Sequence, residues 1–427
     1  MASTIAPRPS RWEAGAWANI PILSAIRGFA TLLLVAFVFF ACFAFSDTSP
    51  YDVVAIPTIL LWLCLGLRLH RGLVPFVGLL VLYVGAIVVA LLPYLDQPLS
   101  VAWTVQLAYL AITGVFFGML FSDETLARME LVLKTFVASC LLSSAFGIVG
   151  YFGYIPTEDL FYKYGRASGT FQDPNVFGSF LTLGALYLLH GLLVGSTRRP
   201  LVALAMLLVI VAGIFLSFSR GSWGGSLVAV GLMVASIFRS TRSVALRRRL
   251  VVLTTLAVLG AGLAIVGLLS IGDTAEMFSK RASLSQDYDE GETGRFGNQI
   301  RGLGMLIEDP LGMGPLRWRL NFGLEPHNSY IGSFANGGWV GGVVFLGLVL
   351  ATGVVGFRLM RQDTPFRRHA QIVWPALFMF FLQAFQIDIE KWRHVYMMFG
   401  MVWGLEAARL AWRMGRPGLD AAESRVS

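Results

Sequence analysis

Apolar runs long enough to cross a hydrocarbon core of about 30 Å recur along nearly the whole chain, separated by short polar stretches. Read by length and hydropathy, they predict spans at 29–46, 52–69, 72–93, 100–121, 131–151, 175–195, 200–217, 222–238, 250–271, 338–357, 371–387 and 395–412. Twelve crossings put both ends of the chain on one side. With the amino terminus inside, the inner connections carry Arg68 and Arg71, Arg198 and Arg199, the cluster from Arg239 to Arg249, the arginines from Arg358 to Arg368, and those from Arg409 to Arg416. The outward segments 46–52 and 92–99 instead hold Asp47, Asp52 and Asp96 with no Lys or Arg. Positive residues concentrate on the cytoplasmic side of membrane proteins, so both termini are expected there.

The pattern predicts an all-α, polytopic integral membrane protein. It divides into an inner segment 1–28, nine spans over 29–271, one large outward loop over 272–337, three spans over 338–412 and an inner tail 413–427. A shorter outward segment runs from Tyr151 to Pro174. Long loops tend to carry function. The large one opens acidic (Ser285, Gln286, Asp287, Tyr288, Asp289, Glu290, Gly291, Glu292), continues as a helical run from Gly294 to Ile307, and ends in Gly and Pro turns.

Composition agrees with this picture. Hydrophobic residues make up 56% of the 427, charged residues 14%, and mean hydropathy is +0.69, a mixture that cannot cover an aqueous surface. The first run follows Arg8, Arg11 and Arg27 but exceeds the apolar core of a cleavable signal, so it reads as a retained anchor. Cys42, Cys64 and Cys140 all fall in apolar runs without metal-ligand spacing and read as packing residues. The net charge of +8 is scattered over short loops, which fits topology and argues against a nucleic-acid partner.

Four outward segments could carry chemistry. In Ser217-Phe218-Ser219-Arg220-Gly221-Ser222 an arginine sits in a tight turn between two spans, where charge is costly. Arg220 can be read as an ordinary anchor reaching lipid phosphates. The neighbouring Ser219 and Gly221 favour another reading, because small residues let a guanidinium grip an anion in a bidentate fork. In Pro326-His327-Asn328-Ser329-Tyr330, His327 is the only outward histidine besides His394. An imidazole suits proton abstraction from a sugar hydroxyl near neutral pH; a loop histidine beside a helix cap is the plain alternative. The segment from Gly165 to Asn175 offers Arg166, with Asp173 and Asn175 as turn or capping residues. Gly294-Arg295 opens a helix that also holds Arg301 and leads to Glu308-Asp309-Pro310-Leu311-Gly312-Met313-Gly314. Each arginine alone reads as a solvated charge; together, on one side, they suggest an anion site.

Walker loops, zinc-ligand clusters and nucleophile elbows do not occur in the sequence. The acidic pairs Asp388 and Glu390, or Asp287 and Asp289, lack a convincing ligand set, so metal-independent chemistry without a cofactor is expected.

Ser-Arg-Gly at 219–221, Asp-Pro-Asn at 173–175, Gly-Arg at 294–295 with Pro-Leu-Gly-x-Gly at 310–314, and His-Asn-Ser-Tyr at 327–330 together resemble the O-antigen ligase and polymerase superfamily over roughly residues 130–400. The resemblance implies a multi-pass protein of the bacterial inner membrane with a large periplasmic loop. Its activity would be transfer of a glycan from an undecaprenyl diphosphate carrier to an acceptor sugar at the periplasmic face. The acceptor would be another lipid-linked glycan or a lipopolysaccharide core. Carried over residue by residue, the resemblance gives Arg220 and Arg295 to the diphosphate, with Arg166 a better helper than Arg301. His327 would activate the acceptor hydroxyl or assist at the diphosphate, and Asp173, Asn175, Ser219, Asn328 and Tyr330 would support the site. The family pattern has a tryptophan a few residues after Arg295, and none stands at Phe296 to Gln299. The alternative from another class is a secondary transporter of a polar or anionic substrate. That class favours inverted repeats and midplane polar sites, whereas the two halves here differ in hydropathy and loop length.

Overall fold

The computed structural model describes residues 21–45, 49–154, 158–268, 270, 275, 278 and 294–415. Most of the expected inner segment 1–28 and of the tail 413–427, and the acidic stretch 285–292, lie outside these residues. Every predicted span coincides with a helix. These are α1 (Pro21–Phe39), α2 (Pro50–Cys64), α3 (Val74–Leu91), α4 (Pro98–Leu120), α5 (Thr125–Tyr151), then after the short α6 (Glu158–Phe161) α7 (Pro174–Val194), α8 (Pro200–Leu216), α9 (Arg220–Ser240) and α10 (Val244–Leu268). Two loop helices follow, α11 (Arg295–Glu308) and α12 (Trp318–Phe322), before α13 (Ser329–Arg361), α14 (Arg367–Gln383) and α15 (Arg393–Arg413). Among the described residues, seven of these helices are long and apolar enough to cross a membrane, and Pro50–Cys64 and Pro200–Leu216 are shorter apolar helices. The chain is a multi-pass membrane protein.

Lipid tails are as apolar as leucine, so burial alone does not hold such helices together; close backbone approach does. Gly114 and Gly118 on α4 face Gly400 and Gly404 on α15. A methyl group at Gly400 would stand 2.6 Å from the Gly114 carbonyl oxygen and 2.8 Å from the Gly118 nitrogen, and one at Gly404 would stand 3.0 Å from the Gly118 carbonyl oxygen. Four glycines, four residues apart in pairs, thus let α4 and α15 touch along their backbones.

The two ends of the bundle are locked by polar groups. At one end Glu406, 4% exposed, pairs with Arg358 (3.1 Å) and Arg409 (2.6 Å), and Glu130 meets Arg368 (2.6 Å), His369 (3.2 Å) and the Tyr187 hydroxyl (2.7 Å). At the other end a capping box starts α2. The Ser49 hydroxyl accepts from the Tyr51 N–H, and the Asp52 carboxylate accepts from the Ser49 N–H. The same carboxylate takes two hydrogen bonds from Arg393, at 2.6 and 3.0 Å, which ties α2 to the start of α15.

The helix expected from residue 338 begins earlier, at Ser329, and is broken at Gly338 (φ 64°, ψ −166°), a conformation only glycine adopts without strain. The break removes helical hydrogen bonds that the Pro-Leu-Gly-x-Gly turn restores. Trp339 N–H donates to the Pro310 carbonyl (2.9 Å), and the Ala335 carbonyl accepts from Gly314 N–H (3.1 Å). The all-α expectation has one small exception: Tyr162–Lys163 and Arg166–Ala167 form an antiparallel hairpin. Its two turn residues, Tyr164 (φ 55°) and Gly165 (φ 74°), both lie in the left-handed region, as a tight type I′ turn requires.

Gly400→Ala should lower the stability of the purified protein by about 1–3 kcal/mol through overpacking against backbone that cannot yield. The Cβ of Gly353→Ala meets only the Trp374 ring, at 3.8 Å. That variant should be neutral or gain up to about 1 kcal/mol from helix propensity. Thermal unfolding in detergent reads both, and equal melting of the two variants would refute the close crossing.

Candidate functional site

The end of the bundle opposite the Glu406 and Glu130 clusters holds two cavities. The smaller, about 120 Å³, is lined by Arg166, Arg220 and Arg295 together with Asn175, Ser219 and Gln383. Each arginine reaches it from a different local device. Arg166 follows the hairpin turn and is only 5% exposed; its Nε donates to the Ser217 carbonyl and its Nη2 to the Asn175 side-chain oxygen, both at 2.7 Å. A buried guanidinium needs such acceptors to be tolerated. Arg220 is the first residue of α9. Phe218 takes a left-handed turn (φ 44°), and the Ser219 hydroxyl caps the helix by accepting from Ser222 N–H at 3.2 Å. Arg295 is the first residue of α11 and donates to the Gln386 carbonyl at 3.3 Å while its guanidinium lies 4.8 Å from the Phe296 ring centre. The positive ends of α9 and α11 thus sit with their arginines at one anion-sized cavity.

The larger cavity, about 780 Å³, is lined by Trp103, Tyr109, Asp173, Asp388, Glu390 and His394 among others, and Trp392 lines both cavities. Asp173 also caps α7, its carboxylate accepting from Asn175 N–H at 2.7 Å. The segment 384–392, which links α14 to α15, joins the two cavities.

His327 stands beside the larger cavity without lining it; its neighbours Pro326 and Asp388 do. Asp388 holds it from two sides. One carboxylate oxygen accepts from the His327 N–H (3.2 Å) and lies 3.5 Å from Nδ1, and the other accepts from Asn328 N–H (3.0 Å). The bond to Asp388 raises the His327 pKa above its ordinary value, against the opposing effect of burial. His327 itself is left-handed (φ 48°), and the helix cap is Asn328, whose side-chain oxygen accepts from Tyr330 and Ile331 N–H groups. Tyr330 donates its hydroxyl to the Phe381 carbonyl at 2.8 Å. Ser329 bonds both Ile387 and Ile389, so the histidine segment and the 384–392 segment form one unit.

Arg301 is not brought to either cavity: its Nη2 donates to the Asn298 side chain at 2.5 Å and its guanidinium lies 5.5 Å from the Phe322 ring centre. One turn and a half of helix separates it from Arg295, which turns it to another face. Among the described residues, no group of three or more His, Cys, Asp or Glu could hold a metal ion.

Sequence reasoning passed over Gln383, Gln386 and Trp392, and gave Asp388 only as a metal candidate. Gln383 had a signal: an amide within an apolar span is costly there and points to a function. It is 5% exposed, and neither atom of its amide has a hydrogen-bond partner among the described residues. Unpartnered buried amides cost stability. Gln383→Leu should therefore melt at the same temperature as wild type or higher. Its further rise in Tm on adding inorganic diphosphate should fall to about half or less of the wild-type rise. An undiminished diphosphate effect would remove Gln383 from the site.

No curated protein matches the chain. Residues 204–346 match the O-antigen ligase family model. The matched stretch holds Ser219, Arg220, Arg295 and His327, and leaves out Arg166 and the 384–392 segment. Over that stretch of this multi-pass membrane protein the match supports the resemblance to the O-antigen ligase and polymerase superfamily that the Ser-Arg-Gly, Gly-Arg and His-Asn-Ser-Tyr motifs carry.

Proposed function

We propose that the protein is a glycosyltransferase that moves a glycan from an undecaprenyl diphosphate carrier to an acceptor sugar, as an O-antigen ligase or polymerase, at the periplasmic face of a bacterial inner membrane. The observation that carries this reading is the meeting of Arg166, Arg220 and Arg295, from three distant segments, at one cavity of about 120 Å³. A diphosphate is already a competent leaving group, so the protein need only hold cations where negative charge grows and supply one positioned base. Preorganised guanidiniums and two helix amino-terminal ends meet the first need. Neither step requires a metal or a covalent protein intermediate.

His327 meets the second need. Asp388 next to Nδ1 fixes the ring orientation and leaves Nε2 to accept the acceptor hydroxyl's proton, while the acceptor oxygen bonds to the anomeric carbon and the electron pair departs on the diphosphate. The transporter alternative gains no support from this arrangement, since both cavities lie at one end of the bundle. The basic inner loops agree with the site end facing the periplasm.

Arg220→Ala and His327→Ala should each lower glycan transfer by about a hundredfold or more, while membrane insertion stays intact. Transfer assayed with the native lipid-linked donor in reconstituted vesicles reads this, and full activity in either variant sinks that residue's role.

The pH dependence carries a sign. A base must be neutral, so transfer should rise with pH as His327 loses its proton, at a pH above the ordinary histidine value. Asp388→Asn removes the main cause of the shift, so the rising limb should move to lower pH and the maximal rate should fall by about tenfold. A pH profile that falls through the same range would give His327 a cationic role at the diphosphate instead.

A further inference from the structure

Residues that line the larger cavity carry buried polar atoms without hydrogen-bond partners among the described residues. Glu390 is 5% exposed and His394 3%, yet Glu390 Oε1 and His394 Nε2 have no hydrogen-bond partner among the described residues. Both residues line the same cavity. Native proteins leave few buried polar atoms unmatched, and those left over call for an explanation such as an absent ligand. The fold even makes room for the carboxyl: a methyl group on Gly332 would stand 2.9 Å from Glu390 Oε1. Burial, with help from neighbouring Asp388, raises the Glu390 pKa, which favours the neutral acid, a group that can both donate and accept.

The remaining walls set the ligand class. Trp103 and Trp392 give flat apolar faces, and the unmatched groups give donors and acceptors around them. That combination suits a sugar, whose ring presents C–H faces to aromatics and hydroxyls to polar atoms. At 780 Å³ the space holds a saccharide; the arginine cavity, at 120 Å³, does not. Trp392 borders both, so a ligand in the larger cavity would lie next to a diphosphate in the smaller.

We propose that the larger cavity is the acceptor-glycan site, with Glu390 hydrogen-bonding an acceptor hydroxyl and Trp103 stacking on an acceptor ring. This rests on the transferase reading and adds the place and chemistry of its second substrate. The donor is held by its diphosphate at the arginines, so loss of Glu390 leaves donor binding alone. Its removal also deletes an unpartnered buried oxygen, which offsets the loss of the carboxyl's bond with Ser329.

The test uses the full-length protein in vesicles, with lipid-linked glycan and acceptor prepared from the source organism's envelope. Glu390→Leu should raise the acceptor KM by about tenfold or more, because a site built to bond a hydroxyl penalises its loss. The donor KM should stay within about twofold and Tm should not fall. Trp103→Leu should raise the acceptor KM in the same way, and Glu390→Gln, which keeps a donor and an acceptor, should recover most of the loss. An unchanged acceptor KM in Glu390→Leu, or a rise confined to the donor KM, overturns the assignment. Direct binding of the acceptor glycan without donor separates the two readings. Wild-type protein that binds acceptor, with binding lost in Glu390→Leu, but transfers nothing would refute the transferase and keep the cavity; protein that transfers while Glu390→Leu binds acceptor normally would do the reverse.

Discussion

A guanidinium cannot rest in the end of an apolar bundle without acceptors aimed at it, and the way Arg166 meets that demand organises the site. Its two short hydrogen bonds run to the Ser217 carbonyl, at the end of α8, and to the Asn175 side chain, at the start of α7. One side chain therefore fixes the hairpin, the α8–α9 turn and the α7 start against each other. Ser222 and Ser179 tighten the same joint, their hydroxyls 2.9 Å apart and both bonded to the Asn175 carbonyl. Arg220 and the Ser219 cap stand on this joint, so the direction of the second arginine follows from the anchoring of the first.

A similar logic governs the far wall. The Gly338 break would strand backbone groups inside the bundle, and in a membrane each such group costs several kcal/mol, so another segment must meet them. The turn at 310–314 does so with two hydrogen bonds, which fixes the loop that carries Arg295, α12 and His327 against the half-helix 329–337. Below it, the close glycine contact of α4 and α15 brings Arg393, His394 and the 384–392 segment up to the walls supplied by Trp103 and Tyr109. Backbone satisfaction and close packing, more than hydrophobic burial, decide where the polar groups end up.

These devices explain which parts were legible in the sequence. Helices and their approximate ends follow from hydropathy, because lipid leaves the backbone no other choice. The arginines stood out because they lie in outward segments while most basic residues flank the spans on the inner side, and the order of Ser-Arg-Gly, Gly-Arg and His-Asn-Ser-Tyr tied them together. What could not be read was register. Arg301 and Arg295 share a helix, and only the placement of α11 separates the one that faces the cavity from the one that packs on Phe322. Asp388 lies 61 residues from His327, and no local pattern announces that pairing. Ser219 is polar and in an outward turn, yet it is 2% exposed because its hydroxyl is used up as a cap.

The unmatched atoms at the two cavities give the last step. A bundle under selection for stability alone would replace Gln383 and Glu390 by leucine, since each leaves buried polar atoms without partners. Glu406, by contrast, is matched by two arginines, and Glu130 meets Arg368, His369, Lys134 and the Tyr187 hydroxyl. Gln383 and Glu390 stand on the two sides of Trp392, one at each cavity. Two substrates that must react need neighbouring, separately shaped receptors with one shared wall. On the proposed reading the partner in the first cavity would be an anion among arginines, and in the second a hydroxylated ligand among aromatic faces. On the proposed transferase reading the bilayer would complete the arrangement, because a lipid-tethered donor would reach the arginines by moving along the membrane plane and leave the larger cavity free for the acceptor.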